Sequence, residues 1–217
     1  MSDSYADLTI RDFLGRLASP EPVPGGGSAS AIAGGFAASL LGMVARLSLD
    51  RPRYATYAPT HRRAITFSDS AVPRFLELAD RDSDAYAAFA AALKLPRETA
   101  EQLAQRTAAI RDAARHAAEV PLEVLRLCVS LAHEVEAVAG RSNLNASSDV
   151  NVAALLAEAA GRGASTNVLT NLPSAGNDEF AGRATDEVMR LLGAVEDSAA
   201  RAREQVGTGR LRDPEGE

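Results

Sequence analysis

The sequence predicts an all-α protein, a single-domain antiparallel helical bundle of about seven or eight helices. Alanine supplies about one residue in five, and alanine is the strongest helix former. Apolar residues recur three and four positions apart, whereas the alternation typical of strands is nearly absent. No repeat or linker divides the 217 residues, which suffice for one core without disulfides. We expect the bundle to occupy residues 1–206 and residues 207–217 to form a flexible tail.

The N-terminal part predicts a short helix, a turn and a long helix. Residues 9–12 form a weak capping box that opens the short helix. Prolines exclude helix from residues 19–24, because each proline biases its predecessor away from the α region. Gly25–Gly27 continue this turn, and we expect Ser28 to cap a long helix that ends near Leu49.

The long helix carries a row of small residues, Gly34, Ala38 and Gly42, spaced four positions apart. Such a row lets another backbone approach closely. The partner is either a neighbouring helix of the bundle or a second subunit.

The rest of the chain predicts a loop over residues 51–59 and then further helices. In order, we expect helices over residues 60–95, 97–120, 121–139, 147–163 and 177–205, with a short helix from residue 164. Pro73 is expected to kink the first of these, whereas Pro121 suits a first helical turn. Gly161 and Gly163 are expected to end the helix that begins at residue 147.

Composition narrows the classes of function. A net charge of −6 and an aromatic content of 5% argue against a nucleic acid as partner, since phosphate binding relies on a basic surface. A lone cysteine, Cys128, excludes an internal disulfide and fits the reducing cytoplasm. The longest apolar stretch, residues 29–47, is rich in small residues and contains Arg46, so we expect a buried helix and no membrane span.

The segment Pro24-Gly25-Gly26-Gly27-Ser28 is the first candidate for a binding site. Free backbone N–H groups at a helix start, next to glycines, bind anionic or polar groups well. The alternative is a tight turn that only lets the helix enter a crowded core.

Asp82 and Tyr86 form the second candidate, because residues four apart share one face of a helix. Apolar residues follow Tyr86, which places Asp82 at the edge of the buried stripe. A partly desolvated carboxylate has a raised pKa and is suited to proton transfer. The alternative is a solvated acidic face.

Asparagines and an aspartate form the third candidate. Asn143, Asn145 and Asp149 precede or open a helix, where they either bind a ligand or act as caps. Asn167 and Asn171 lie four apart in an apolar segment, and a buried amide needs a partner that a ligand would supply.

The three histidines lack the spacing of metal ligands, so we expect no metal site.

Several motifs, taken in order, are similar to one known family. They are Pro22–Ser28, Met43–Ala45 with Tyr54, Asp82–Tyr86 with Leu95-Pro96, Val120–Leu122, Asn143–Asn145 with Ser148-Asp149, Asn167-Val168, and Asn171-Leu172. This set resembles the formiminotransferase-cyclodeaminase C-terminal family, over residues 8 to 192.

The resemblance implies an all-α homodimer that binds a reduced folate, a tetrahydrofolate derivative that serves as substrate without a cofactor. It implies a cytoplasmic methenyltetrahydrofolate cyclohydrolase that hydrolyses 5,10-methenyltetrahydrofolate to 10-formyltetrahydrofolate. Asp82 would act as general acid and base, and Tyr86 would orient water or the pterin. The backbone of residues 24–28 and the polar side chains of the third candidate would hold the folate.

Two alternatives remain open at this stage. In the first, a formiminotetrahydrofolate cyclodeaminase uses the same pocket and releases ammonia, because both reactions pass through a tetrahedral carbon between N5 and N10. In the second, the chain is a non-enzymatic helical dimerisation or interaction module whose glycine-rich turn only permits tight packing.

Overall fold

The computed structural model describes residues 4–176 and 179–213, and this part of the chain is helical throughout apart from its connections. Its six α-helices are α1 (Ile10–Leu17), α2 (Gly26–Leu49), α3 (Ala58–Leu93), α4 (Ala100–Val138), α5 (Ser147–Ala175) and α6 (Glu179–Gly207). Short 3-10 helices cover Tyr5–Asp7, Pro52–Tyr57 and Leu144–Ala146. The all-α fold is confirmed, but the expected count of seven or eight helices is wrong.

The count is wrong partly because α4 runs straight through Pro121 instead of beginning anew there. Proline has no N–H to donate to the carbonyl four residues earlier, which here belongs to Ala117. The side chain of Asn171 supplies the missing bond, since its Nδ2 donates to the Ala117 oxygen at 2.9 Å. A neighbouring helix therefore repairs the gap that the proline leaves.

The other error concerns Gly161 and Gly163, which lie inside α5 and do not end it. A Cβ at Gly163 would overlap the Ser30 hydroxyl and lie 3.2 Å from Ser30 Cβ. A Cβ at Gly161 would lie 3.1 Å from Cγ1 of Val195. These glycines therefore allow α2 and α6 to approach α5 closely, and they are not helix terminators.

Helix α2 packs against α3, α4 and α5 and so lies at the centre of the bundle. A Cβ at Gly34 would lie 2.5 Å from the Phe75 ring, and one at Gly42 would lie 2.8 Å from Cβ of Ser68. The Ser68 hydroxyl donates to the Ala38 carbonyl at 2.7 Å. Of the two partners considered for the small-residue row, the structure supplies a helix of the same chain.

By length and composition alone, α2 passes as a possible membrane span, and 50% of its most apolar window is buried in the bundle. Its outer face leaves Phe36, Met43 and Leu47 exposed. At the other end of the chain, residues after α6 return to the bundle, where the Arg212 N–H donates to the Gly140 carbonyl at 2.7 Å. The expected start of the last helix, residue 177, lies outside the described residues.

Candidate active site

The glycine-rich turn and Asp82 meet at the N-terminal end of α2. This helix begins at Gly26, with Gly25 as its N-cap, so the predicted cap Ser28 lies inside the first turn. A Cβ at Gly27 would lie 2.5 Å from Cγ and from Oδ2 of Asp82, and closer still to Oδ1. The carboxylate of α3 thus occupies the space that a side chain at position 27 would fill. Position 27 therefore requires glycine, because the Asp82 carboxylate approaches its backbone too closely for any side chain.

Ser28 fixes the orientation of this carboxylate. Its hydroxyl lies 3.2 Å from Oδ2 of Asp82 and 2.9 Å from the Ala79 carbonyl. Burial raises the pKa of Asp82, and hydrogen bonds from the hydroxyl and the backbone N–H of Ser28 offset part of that rise. The result is a carboxylate that is a stronger proton acceptor than an exposed one, held against a helix N-terminus.

Asp82 opens into a cleft of about 240 Å³ formed by α2, α3, α4, α5 and the proline-rich turn. Seven of the predicted site residues line it, namely Gly25, Gly26, Gly27, Asp82, Tyr86, Asn167 and Asn171. Tyr86 is 42% exposed at the rim. Pro24 is buried behind the turn.

Five further residues line the cleft, Pro22, Val23, Phe89, Ala117 and Thr170. Pro22 and Val23 belong to the motif Pro22–Ser28 but were not predicted to bind, and sequence reasoning missed the other three. Helical spacing was a usable signal for two of them, since Phe89 follows Tyr86 by three positions and Thr170 follows Asn167 by three. Ala117 carries no such signal, because its position depends on the packing of α4 against α5.

The two asparagines of α5 line the cleft and use their amide nitrogens for hydrogen bonds within the protein. Nδ2 of Asn167 donates to the Gly163 carbonyl at 2.8 Å, and Nδ2 of Asn171 donates to the carbonyls of Ala117 and Asn167. Among the described residues, nothing donates to either Oδ1 atom. The pair therefore suits a ligand edge that carries N–H groups.

The remaining predicted ligands lie at the far end of α2. The Asn143 N–H donates to the Ser48 hydroxyl at 2.8 Å, and Ser48 lies roughly 30 Å along α2 from Ser28 at the α-helical rise. Oδ1 of Asn143 accepts from the Asn145 N–H at 3.1 Å, which is capping geometry. Asn143 and Asn145 do not line the cleft of Asp82 within one chain, and their part in substrate binding stays a prediction.

Asp149 lies in the first turn of α5, beside the same connection. An acidic side chain at this place stabilises the helix start through the helix dipole. Asp149 does not line the cleft of Asp82 within one chain, and its part in substrate binding stays a prediction.

A larger, open depression of about 670 Å³ lies between α5 and α6. Among the described residues that line it, Asp186 is the one ionisable side chain. Within residues 4–176 and 179–213, no group of three or more His, Cys, Asp or Glu is placed to hold a metal ion.

Comparison with known proteins identifies relatives of this chain. The family model described as formiminotransferase-cyclodeaminase matches residues 9–190. A methenyltetrahydrofolate cyclohydrolase from Methylorubrum extorquens is 35% identical, over 85% of this chain and 88% of the relative. A formimidoyltransferase-cyclodeaminase from Rattus norvegicus is 32% identical over 91% of this chain, which spans 36% of that longer protein.

A solved structure is similar over nearly its whole length. The crystal structure of formiminotetrahydrofolate cyclodeaminase from Thermotoga maritima superposes with a TM-score of 0.85 at 27% identity. The match covers 94% of this chain and 98% of the other.

Proposed function

Because the chain belongs to the formiminotransferase-cyclodeaminase family, we propose that it is a methenyltetrahydrofolate cyclohydrolase. The substrate is 5,10-methenyltetrahydrofolate and the product is 10-formyltetrahydrofolate. The observation that carries the proposal is the Asp82 carboxylate, buried against the first turn of α2 and open to a cleft with two amide acceptors. The match to 88% of a relative named as a cyclohydrolase supports this activity.

Asp82 supplies the proton transfers that the hydrolysis needs. The carbon between N5 and N10 of the substrate is a cationic electrophile. Asp82 takes a proton from water as the oxygen of that water bonds to this carbon. The protonated Asp82 then gives its proton to N5 as the C–N5 bond breaks, and loss of the hydroxyl proton completes the formyl group on N10. One proton is released overall, and general acid-base help of this kind is worth about 10²–10⁴-fold.

Binding follows from the charges and acceptors of the cleft. The ionised Asp82 attracts the cationic ring, and the Oδ1 atoms of Asn167 and Asn171 accept from N–H groups of the pterin. Tyr86 and Phe89 provide apolar surface for the ring faces. A cleft of about 240 Å³ is smaller than a typical whole-ligand pocket of about 300–1,000 Å³, so it holds the fused rings and leaves the tail of the folate outside.

Loss of the methenyl absorbance tests this proposal. The wild-type chain is expected to hydrolyse 5,10-methenyltetrahydrofolate faster than buffer alone under the same conditions. A rate equal to the spontaneous rate would refute the cyclohydrolase assignment.

Cyclodeaminase activity is the second candidate, because the similar solved structure and the rat relative carry that name. In that reaction 5-formiminotetrahydrofolate loses ammonia and closes to the methenyl compound. Ammonia release from the formimino substrate, measured beside methenyl hydrolysis with the same preparation, separates the two activities.

A homodimer is the assembly that the surface supports. Phe36, Met43 and Leu47 are 48%, 38% and 42% exposed, and with the half-buried Leu40 they form one apolar stripe at four- and three-residue spacing. Exposed apolar stripes of this kind mark association surfaces. Sedimentation of the wild type and of Phe36→Asp tests the dimer.

The buried, unpaired Cys128 supports a reducing, cytoplasmic location.

A further inference from the structure

A chain of hydroxyl groups runs behind Asp82, away from the cleft. Oη of Tyr5 lies 2.6 Å from Oγ of Ser83, which lies 3.2 Å from Oγ of Ser28, and Ser28 Oγ lies 3.2 Å from Oδ2 of Asp82. This chain of hydroxyl groups joins three elements, the N-terminal 3-10 helix, α3 and α2. It therefore connects the N-terminal segment to the carboxylate that lines the cleft.

The tyrosine at the head of this chain is held by several independent contacts. The Tyr5 N–H donates to Oδ1 of Asp80 at 2.8 Å, and the Ser4 hydroxyl donates to Oδ2 of the same side chain at 2.5 Å. The Tyr5 ring packs edge-on against Phe13, with ring centres 5.5 Å apart. These contacts fix the place of the Tyr5 hydroxyl without any help from its bond to Ser83.

Each hydroxyl group has one hydrogen to donate, and this decides which group donates and which accepts along the row of hydroxyls. Ser28 has one hydroxyl hydrogen and three acceptors within reach, the Ala79 carbonyl, Asp82 and Ser83. When Asp82 is ionised, the charge-assisted bond to the carboxylate is the strongest of the three. Ser28 then accepts from Ser83, and Ser83 accepts from Tyr5, whose phenol is the most acidic hydroxyl of the set.

Protonation of Asp82 reverses the direction of the hydrogen bond between Ser28 and Asp82. The protonated carboxyl donates to Ser28 Oγ, and the Ser28 hydrogen turns to the Ala79 carbonyl at 2.9 Å. The hydroxyl chain therefore favours the ionised form of Asp82, and donors that act in series strengthen one another.

We propose that Tyr5 and Ser83 are positioning residues for the cleft, and that their hydroxyls act through Ser28 to orient the Asp82 carboxylate and stabilise its ionised form. The consequence for turnover rests on the proposed function, whereas the effect on the carboxylate does not. Two further titratable groups of α3 lie near this system: Tyr86, which lines the same cleft about one helical turn after Asp82, and Asp80, which accepts from the Tyr5 N–H.

The direct test is the pKa of Asp82 in the ligand-free protein, followed by carboxyl carbon NMR and assigned by the signal that Asp82→Asn removes. Tyr5→Phe and Ser83→Ala each break the chain at a different link. Each is expected to raise the pKa of Asp82 by roughly 0.3 pH unit, because a further bond in series strengthens the charge-assisted bond to the carboxylate by roughly 10–30%. Tyr57→Phe is the matched control, because the Tyr57 hydroxyl donates to the Arg212 carbonyl and has no link to Asp82.

An unchanged pKa of Asp82 in both variants would overturn the proposal, and so would an equal rise in Tyr57→Phe. A purely structural role of Tyr5 would lower the melting temperature and leave this pKa in place. The titration needs no turnover, so an inactive wild type would refute the proposed function alone. With an active wild type, the acid limb of kcat/KM, which reports the free enzyme, moves by the same roughly 0.3 pH unit, and KM measured well above that pH stays near its original value.

Discussion

Replacing Gly27 with alanine separates catalysis from folding. The added Cβ would lie 2.5 Å from Cγ of Asp82, whereas ordinary contact begins at 3.4 Å, so the carboxylate must withdraw by about 0.9 Å. The obstacle is the end of a side chain and not backbone, so rotation of Asp82 relieves the clash. That rotation also breaks the bonds from Ser28 that orient the carboxylate.

The expected result is a loss of activity in a folded protein. A displacement of about 1 Å at a reacting group costs roughly 100-fold in rate, so we expect kcat for methenyl hydrolysis to fall by about that factor. The melting temperature should change by only a few degrees, about the effect of 1 kcal/mol in a chain of this size.

Gly26→Ala is the matched control for this experiment. A Cβ at Gly26 meets its nearest neighbour, Nδ2 of Asn167, at 3.6 Å, which is ordinary contact, so kcat should stay within about threefold of wild type. A Gly27→Ala protein with wild-type kcat would refute the argument that the Asp82 carboxylate must stand where it does. Equal losses in the two variants would show that the glycines serve backbone freedom instead.

Three further predictions follow from Asp82 and Asn171. Asp82→Asn should raise the melting temperature at pH 7 in a calorimetric scan. Burial raises the pKa of Asp82, so the ionised carboxylate destabilises the folded protein once the pH exceeds the pKa of an unfolded aspartate. The gain in melting temperature should vanish below about pH 3, where Asp82 is protonated in both the folded and the unfolded protein. A profile of kcat/KM against pH, which reports the free enzyme, should fall on the acid side at a higher pH than an ordinary aspartate, near 3.9, would give, since the base must be ionised. Asn171→Ala should lower the unfolding free energy by about 1–3 kcal/mol, because the buried Ala117 carbonyl loses its donor, and should raise KM. Adding Pro121→Ala should restore stability in denaturant melts, since alanine at position 121 supplies the helical N–H, but should leave KM high.

The helical class followed from composition and spacing, because both are local properties of the chain. The helix boundaries at Pro121 and Gly163 did not, since each depends on a neighbouring helix. Asn171 completes the hydrogen bonding that Pro121 interrupts, and Ser30 occupies the space beside Gly163. Residues that break helices in isolation are tolerated where another element supplies the missing bond or requires the close approach.

The site divides in the same way. Asp82, Tyr86, Asn167 and Asn171 were predictable as pairs, because four-residue spacing places each pair on one helical face. The distance of Asn143 from the cleft was not predictable, because an asparagine ahead of a helix has the same local pattern whether it caps the helix or binds a ligand. Asn143 lies in the connection between α4 and α5, so its place relative to α2 depends on how these two helices pack, and the local sequence does not predict that packing. The hydroxyl chain from Tyr5 was invisible for a similar reason, since it joins residues far apart in sequence.

The most direct test of the account compares the wild type with Asp82→Asn in single-turnover hydrolysis of 5,10-methenyltetrahydrofolate, after subtraction of the spontaneous rate. Binding of a stable reduced folate is measured on the same two preparations. The account predicts a rate at least about 100-fold lower in the variant, with the binding site still occupied at similar folate concentrations. A variant that hydrolyses the substrate at close to the wild-type rate would contradict it.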